Sequence, residues 1–136
     1  MPKIIAIDYG SKRCGLAATD NSQIIASALT TVDTKEIFKY LTDYFLKNEV
    51  EGIVLGEPKR LDGSDTDATP LVENFKLKLI ELFPEMPIVM IDERLTSRMA
   101  KQTLIDAGYK KIARQNKKLV DTVAAALILQ TYLASK

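Results

Sequence analysis

The chain has 136 residues, 46% hydrophobic and 27% charged, with a formal net charge of +1. That is an ordinary globular composition, sufficient for one domain over 1–136 with a real core, and it excludes a polycation, so any basic face must be local. One cysteine, Cys14, and no histidine exclude an intrachain disulfide, Ser-His and Cys-His nucleophiles and His-ligated zinc, leaving carboxylates, lysines, tyrosines or a carboxylate-bound hard metal such as magnesium.

Lys3 to Ile7 is a short, β-branched apolar run, which suits a strand buried on both faces. Asp8 follows where the chain leaves the core. As a bland alternative it is a turn former. Tyr9 to Arg13 supplies turn chemistry, with Gly10 free to take unusual backbone angles and Ser11 able to bond back to the backbone. Cys14 to Thr19 is small and apolar and returns antiparallel, and Gly15 within it marks a bulge or a close backbone approach. Asn21-Ser22 turns into a third strand over Gln23 to Val32. Asp33-Thr34-Lys35-Glu36 matches a capping box with Asp33 as the cap. The helix after it carries Ile37, Leu41, Tyr44 and Phe45, widened by Phe38.

Glu51 to Gly56 returns to strand, and Glu57 to Asp65 is a polar loop. Thr69-Pro70 opens a second helix marked by Val72, Phe75, Leu79 and Leu82 and stopped near Pro84. Pro87 to Ile91 is a strand that ends in Asp92-Glu93-Arg94. Thr96 caps a helix with Met99, Thr103, Leu104 and Ala107, ended by Gly108. Tyr109 to Lys118 is a loop, and Leu119 to Leu133 is a last helix, apolar almost all round and therefore buried.

The order β-β-β-α-β-α-β-α-α predicts an α/β fold. A three-strand antiparallel meander joins two parallel strands in a five-stranded mixed sheet, with helices on both faces. Ligands in such sheets bind beyond the carboxyl ends of the parallel strands. Those ends carry Asp8, Glu57 and the Asp92-Glu93 pair. Clustered carboxylates repel each other unless a cation sits among them. Asp121 lies near the start of the last helix, where an acid can simply complement the helix dipole. It shares a stripe with Ala125, Ile128 and Tyr132, however, and if that stripe packs on the sheet the acid is carried to the sheet edge.

Four stretches together resemble the YqgF/RuvX family. They are Asp8-Tyr9-Gly10-Ser11-Lys12-Arg13 with Gly15-Leu16-Ala17; Gly56-Glu57-Pro58 with Asp62-Gly63; Asp92-Glu93-Arg94-Leu95-Thr96-Ser97; and Lys118-Leu119-Val120-Asp121-Thr122-Val123-Ala124-Ala125. These are small bacterial proteins of the RNase H-like superfamily, described as Holliday junction resolvases and as nucleases that mature the 5′ end of 16S ribosomal RNA. The resemblance spans essentially the whole chain. It implies an RNase H-like fold and metal-binding carboxylates at Asp8, the acid of the Asp-Glu-Arg motif and Asp121. The family usually has an apolar residue where Glu57 stands and a neutral one at Lys59, which leaves open three or four carboxylates.

The chemistry agrees with that resemblance. Two magnesium or manganese ions activate a water and stabilise a leaving oxygen without histidine, and they prefer hard oxygen ligands. Asp8, Glu93 and Asp121 are the expected catalytic and metal-binding residues. Asp92 and Glu93 are neighbours on a strand and face opposite ways, so one of them serves; Glu93 is favoured and Asp92 is its competitor.

A nucleic acid also needs cations. Lys110, Lys111, Arg114, Lys117 and Lys118 form an acid-free run before Asp121, and Lys12, Arg13, Lys59, Arg60, Arg94 and Arg98 flank the strand-end acids. The expected partner is nucleic acid, with structured RNA favoured over a four-way DNA junction. The protein is expected to be a monomer or weak homodimer, because each helix has one apolar stripe and the sheet needs it. Alternatives are a non-catalytic nucleic-acid-binding module and an ATP-using protein of the actin and sugar-kinase type, whose first phosphate loop Ile7-Asp8-Tyr9-Gly10-Ser11 also resembles. Those proteins need two such domains. The single cysteine, the absence of a signal-peptide pattern after Met1-Pro2-Lys3 and the lack of a bilayer-spanning run point to a cytoplasmic protein with no membrane partner.

Overall fold

The computed structural model describes residues 2–20, 26–57, 69–92 and 117–134, without the side chains of residues 92 and 117–122. Five strands are described: β1 (Lys3–Tyr9), β2 (Arg13–Thr19), β3 (Ala26–Asp33), β4 (Val50–Glu57) and β5 (Ile88–Asp92). The described α-helices are α1 (Ile37–Lys47), entered through a 3-10 turn over Thr34–Glu36, α2 (Thr69–Leu82) and α3 (Lys117–Ala134). The strands form one sheet in the order β3-β2-β1-β4-β5. β1, β2 and β3 are an antiparallel meander, and β4 and β5 run parallel to β1. This is the mixed sheet expected from the sequence. The helix expected after Thr96 lies outside the described residues.

β1 is central, and its period-two alternation divides the interior. Ile5 and Ile7 face one way, into a core with Cys14, Leu16, Ile53 and Leu55 that α1 closes with Ile37 and Leu41 and α2 with Val72, Phe75 and Leu79. Ile4 and Ala6 face the other way, onto Ala17 and Val54, beneath Ala125, Ile128 and Leu129 of α3. The two faces differ in kind. The α1/α2 side is filled by branched and aromatic side chains, whereas alanines line much of the α3 side and let that helix lie close to the sheet. Burying a large aliphatic side chain such as Ile7 or Leu79 contributes roughly 1.5–3 kcal/mol each.

Helix spacing accounts for α1 and α2. Ile37 and Leu41 are one turn apart, and Val72, Phe75 and Leu79 follow i, i+3, i+7. α1 ends where Asn48 adopts an extended conformation, its backbone N–H donating to Tyr44 O at 2.9 Å. Asn48 Oδ1 also accepts from Lys3 Nζ at 3.2 Å, tying the helix end to the start of β1. Leu82, expected in the stripe, is exposed at the end of the helix, and the outer face of α2 is more apolar than the stripe suggests, with Leu71, Leu77 and Ile80 also exposed. No helix among the described residues is long and apolar enough to cross a membrane.

The capping box at Asp33 does not form. Asp33 is the last residue of β3, in register with Arg13, and its side chain makes no cap hydrogen bond. Its backbone has the extended angles of a cap, but what it precedes is a 3-10 turn, and α1 itself starts only at Ile37, after Glu36. The last helix begins at Lys117, so Lys117 and Lys118 belong to its first turn and not to the preceding loop.

A register shift between Lys3 and Ile4 interrupts the β1–β4 ladder. Thr19 Oγ1 accepts a hydrogen bond from Ile4 N at 2.9 Å in the buried interior. Thr19→Val keeps the shape and removes the acceptor. It is expected to cost about 1–3 kcal/mol, the penalty of an unmet buried amide, measurable as a lower urea midpoint with an unchanged m value.

Candidate active site at the carboxyl edge of the sheet

Asp8 is half-buried near the end of β1. Alternation places it with Ile4 and Ala6, on the face covered by α3. Its register partner on β2 is Gly15. On the other side the ladder runs in parallel through Ala6–Val54 and Ile7–Leu55, so the next position on β4 is Gly56. Gly56 in turn pairs with Ile91 of β5, which packs into the α3-side core. The acid therefore stands in a row Gly15–Asp8–Gly56–Ile91 on one face, and both of its strand neighbours lack side chains. Neither neighbour places a Cβ beside the carboxylate.

Glu57 is at the same edge, but β4 alternation aligns it with Ile53 and Leu55, on the α1/α2 face. It is not beside Asp8. Asp92 is the last residue of β5 and is paired with Glu57. Glu93 lies outside the described residues, as do Lys59, Arg60, Arg94, Arg98, Lys110, Lys111 and Arg114. Position 121 is in α3, one turn before Ala125, whose buried side chain rests against the sheet. Among the described residues no three His, Cys, Asp or Glu side chains form a metal-holding group; of the three expected ligands, Asp8 is the one with a described side chain.

The turn after Asp8 is tightly built. Tyr9 pairs with Cys14 across the hairpin. Its ring stacks on Phe75 with centroids 4.3 Å apart, and Phe38 leans on Phe75 at 5.4 Å. Burial, and secondarily Cys14, push the Tyr9 phenol above its ordinary value, so it is uncharged at physiological pH. The stack anchors the end of β1 on the face opposite Asp8. Beyond it, Gly10 approaches Arg13 so closely that a Cβ would lie 2.5 Å from the Arg13 carbonyl oxygen. Ser11 and Lys12 are exposed at the tip, and Arg13 is half-buried at the start of β2.

Thr34 holds this turn from outside the hairpin. Its Oγ1 donates to Gly10 O at 2.6 Å, and its backbone N–H donates to Lys12 O at 3.0 Å. The same hydroxyl lies 3.6 Å from Cys14 Sγ. Sequence reasoning assigns Thr34 to a helix start and misses this role, since a bond between residues 24 positions apart leaves no local pattern.

The chain matches the family model described as "RuvX: Holliday junction resolvase" over residues 2–135. It belongs to the RuvX family. A Flavobacterium psychrophilum protein named "Putative pre-16S rRNA nuclease" is 51% identical over 136 residues, covering 100% of this chain and 99% of its own. A Bacteroides thetaiotaomicron protein of the same name is 46% identical with the same coverage. Among solved structures, the Fowlpox virus resolvase in complex with Holliday junction DNA has a TM-score of 0.60 at 12% identity, covering 98% of this chain and 97% of that one. RuvC from T. thermophilus with a Holliday junction substrate has a TM-score of 0.58 at 16% identity, covering 99% and 96%. Those two likenesses establish the RNase H-like fold expected from the sequence motifs.

Gly10→Ala tests how far the turn depends on close backbone approach. The added carbon has a carbonyl oxygen at 2.5 Å, and backbone must move to admit it, at about 1–3 kcal/mol. The expected outcome is a lower melting temperature with the turn distorted; a variant as stable as the wild type would show that the turn is loosely specified.

Proposed function

We propose that this protein is a metal-dependent nuclease that hydrolyses a phosphodiester bond at the 5′ end of precursor 16S ribosomal RNA, as a single nuclease domain over 1–136 acting in ribosome biogenesis in the cytoplasm. The observation that carries the reading is the position of Asp8: half-buried at the carboxyl edge of the central strand, between two glycines, on the face covered by the helix that contains position 121. The full-length relationship to proteins named for pre-16S rRNA cleavage supports the substrate.

Asp8, Glu93 and Asp121 are the residues that would hold Mg2+ or Mn2+. The donor chemistry fits, because hard divalent ions take carboxylate oxygens and the chain has no histidine to offer instead. When bound, the metal supplies an activated water and neutralises charge at the leaving oxygen. Asp92 is the competitor to Glu93 for this place, and neither side chain is among those described. Parity on β4 argues against Glu57 as a fourth ligand. Lys12 and Arg13 sit directly past Asp8 and would engage substrate phosphates, together with Lys59, Arg60, Arg94, Arg98, Lys110, Lys111, Arg114, Lys117 and Lys118.

Junction resolution is the second reading, favoured by the family description and by the two resolvase structures of the same fold. It demands two symmetric cuts and hence a stable two-fold dimer. The proposed RNA-processing enzyme acts as a monomer or weak dimer. A cleavage assay on precursor ribosomal RNA and on a four-way DNA junction, with Mg2+, Mn2+ or chelator, separates the readings. Metal-dependent cuts near the 5′ end of the RNA are expected. Paired nicks across the junction by a tight dimer in sedimentation would reverse the assignment, and binding without cleavage would make the protein a non-catalytic module.

Asp8→Asn and Asp121→Asn are expected to lower cleavage by more than the roughly 10–100-fold typical of losing a partner that merely orients a metal ligand, with circular dichroism unchanged. Wild-type rates in both would refute the carboxylate site. Replacing Lys110, Lys111 and Arg114 together with Ser is expected to weaken RNA binding and flatten log K against log[salt] by about 0.7 for each single-strand phosphate that is no longer neutralised. An unchanged slope would place the substrate elsewhere.

A further inference from the structure

We infer that Thr34 is a positioning residue for substrate binding: its clamp on the Gly10–Arg13 turn holds Lys12 and Arg13 against substrate phosphates. The inference rests on the nuclease reading and deepens it. One residue between β3 and α1 meets the turn at two points and the strand after it at a third. The hydroxyl bonds Gly10 O at 2.6 Å, the backbone N–H bonds Lys12 O at 3.0 Å, and Cys14 Sγ lies 3.6 Å from the same hydroxyl. The turn has little alternative geometry, because Gly10 sits too close to the Arg13 carbonyl for any other residue. It begins two residues after Asp8, so a shift in the turn moves the cations relative to the carboxylate.

The pattern is more than a corner stabiliser needs. A 3-10 turn closing a strand-to-helix corner can satisfy its own backbone groups locally. Here the Thr34 side chain is committed to a backbone carbonyl 24 residues away, while Asp33 beside it makes no cap hydrogen bond. The basic tip itself has exposed Ser11 and Lys12. Two carbonyls of the turn, at Gly10 and Lys12, are thus held by Thr34 and leave the tip side chains to face a substrate.

Thr34→Val removes the hydroxyl at nearly constant volume, and Thr34→Ser restores it. With one net hydrogen bond at stake, Thr34→Val is expected to raise KM by about three- to ten-fold and to change kcat less. Metal-free binding of a precursor 16S RNA fragment should weaken by a similar factor. The salt slope should fall toward that of the Lys12→Ser/Arg13→Ser double variant. In that double-variant background Thr34→Val should add nothing further, because the groups it positions are gone. Thr34→Ser should recover affinity and slope. A role confined to fold stability predicts lower melting temperature with KM and salt slope unmoved, and that result overturns the inference, as does an effect that adds fully to the double variant. If Thr34→Val does not fold, Thr34→Ala carries the same comparison. Wild-type protein that binds no RNA overturns the nuclease reading itself, and this inference with it; wild-type binding with an unshifted Thr34→Val overturns this inference alone.

Discussion

Burial of β1 on both faces is the constraint from which the rest follows. A strand with helices on each side must be apolar at every position, and its alternation must assign each side chain to one of two cores. Ile5 and Ile7 fill the α1/α2 side, and Ile4 and Ala6 the α3 side. A slip of one residue would exchange the sets and drive isoleucines against the helix that rests on alanines. The register that satisfies both cores also places Asp8 on the α3 face, next to Gly15 and level with Gly56. The position of the acid is therefore not adjustable independently of the core.

The two faces of the edge are specialised in a way that follows from this division. On the α1/α2 side, Tyr9 stacks on Phe75 and keeps the end of β1 from fraying. On the α3 side, glycines replace side chains around the carboxylate. The aromatic anchor and the glycine-flanked acid are thus separated by the pleat of a single strand, one residue apart. Thr34 extends the anchorage past the strand end into the turn, where the ladder can no longer provide it.

Much of this is legible in the sequence because it is written locally. The strands after residue 50, the parallel order and the stripes of α1 and α2 come from runs and periods of fewer than about 15 residues. Asp8 and Asp121 are legible as acids at element ends. What escapes is of two kinds. The first is competition between local signals: Asp33-Thr34-Lys35-Glu36 has the composition of a capping box, but a 3-10 turn intervenes and α1 starts only at Ile37, and Lys117-Lys118 reads as loop because a basic run gives no period. The second is contact between distant segments. Thr19 on Ile4 N and Thr34 on Gly10 O are threonines with no distinguishing neighbours. Glu57 shows the intermediate case, since its place at the edge is readable and its face becomes fixed once Ile53 and Leu55 are assigned to a core.

The fold does not choose between RNA and DNA. A central strand ending in an acid, glycines beside it and a helix closing the face can serve either phosphodiester, and structures of 12% and 16% identity share the fold while holding junction DNA. Choice of substrate must come from features outside the carboxylates: how many sites face the substrate at once, and where the cations stand. The first depends on whether a second copy is recruited, and the exposed leucines of α2 lie on the helix that covers the face opposite Asp8. A dimer formed there would put the sheet and the α1/α2 core between its interface and each acid, so the two sites would look outward from the assembly. Opposed cuts at one junction need sites that look toward a common substrate. An α2-mediated pair is therefore compatible with two independent processing sites and poorly arranged for resolution.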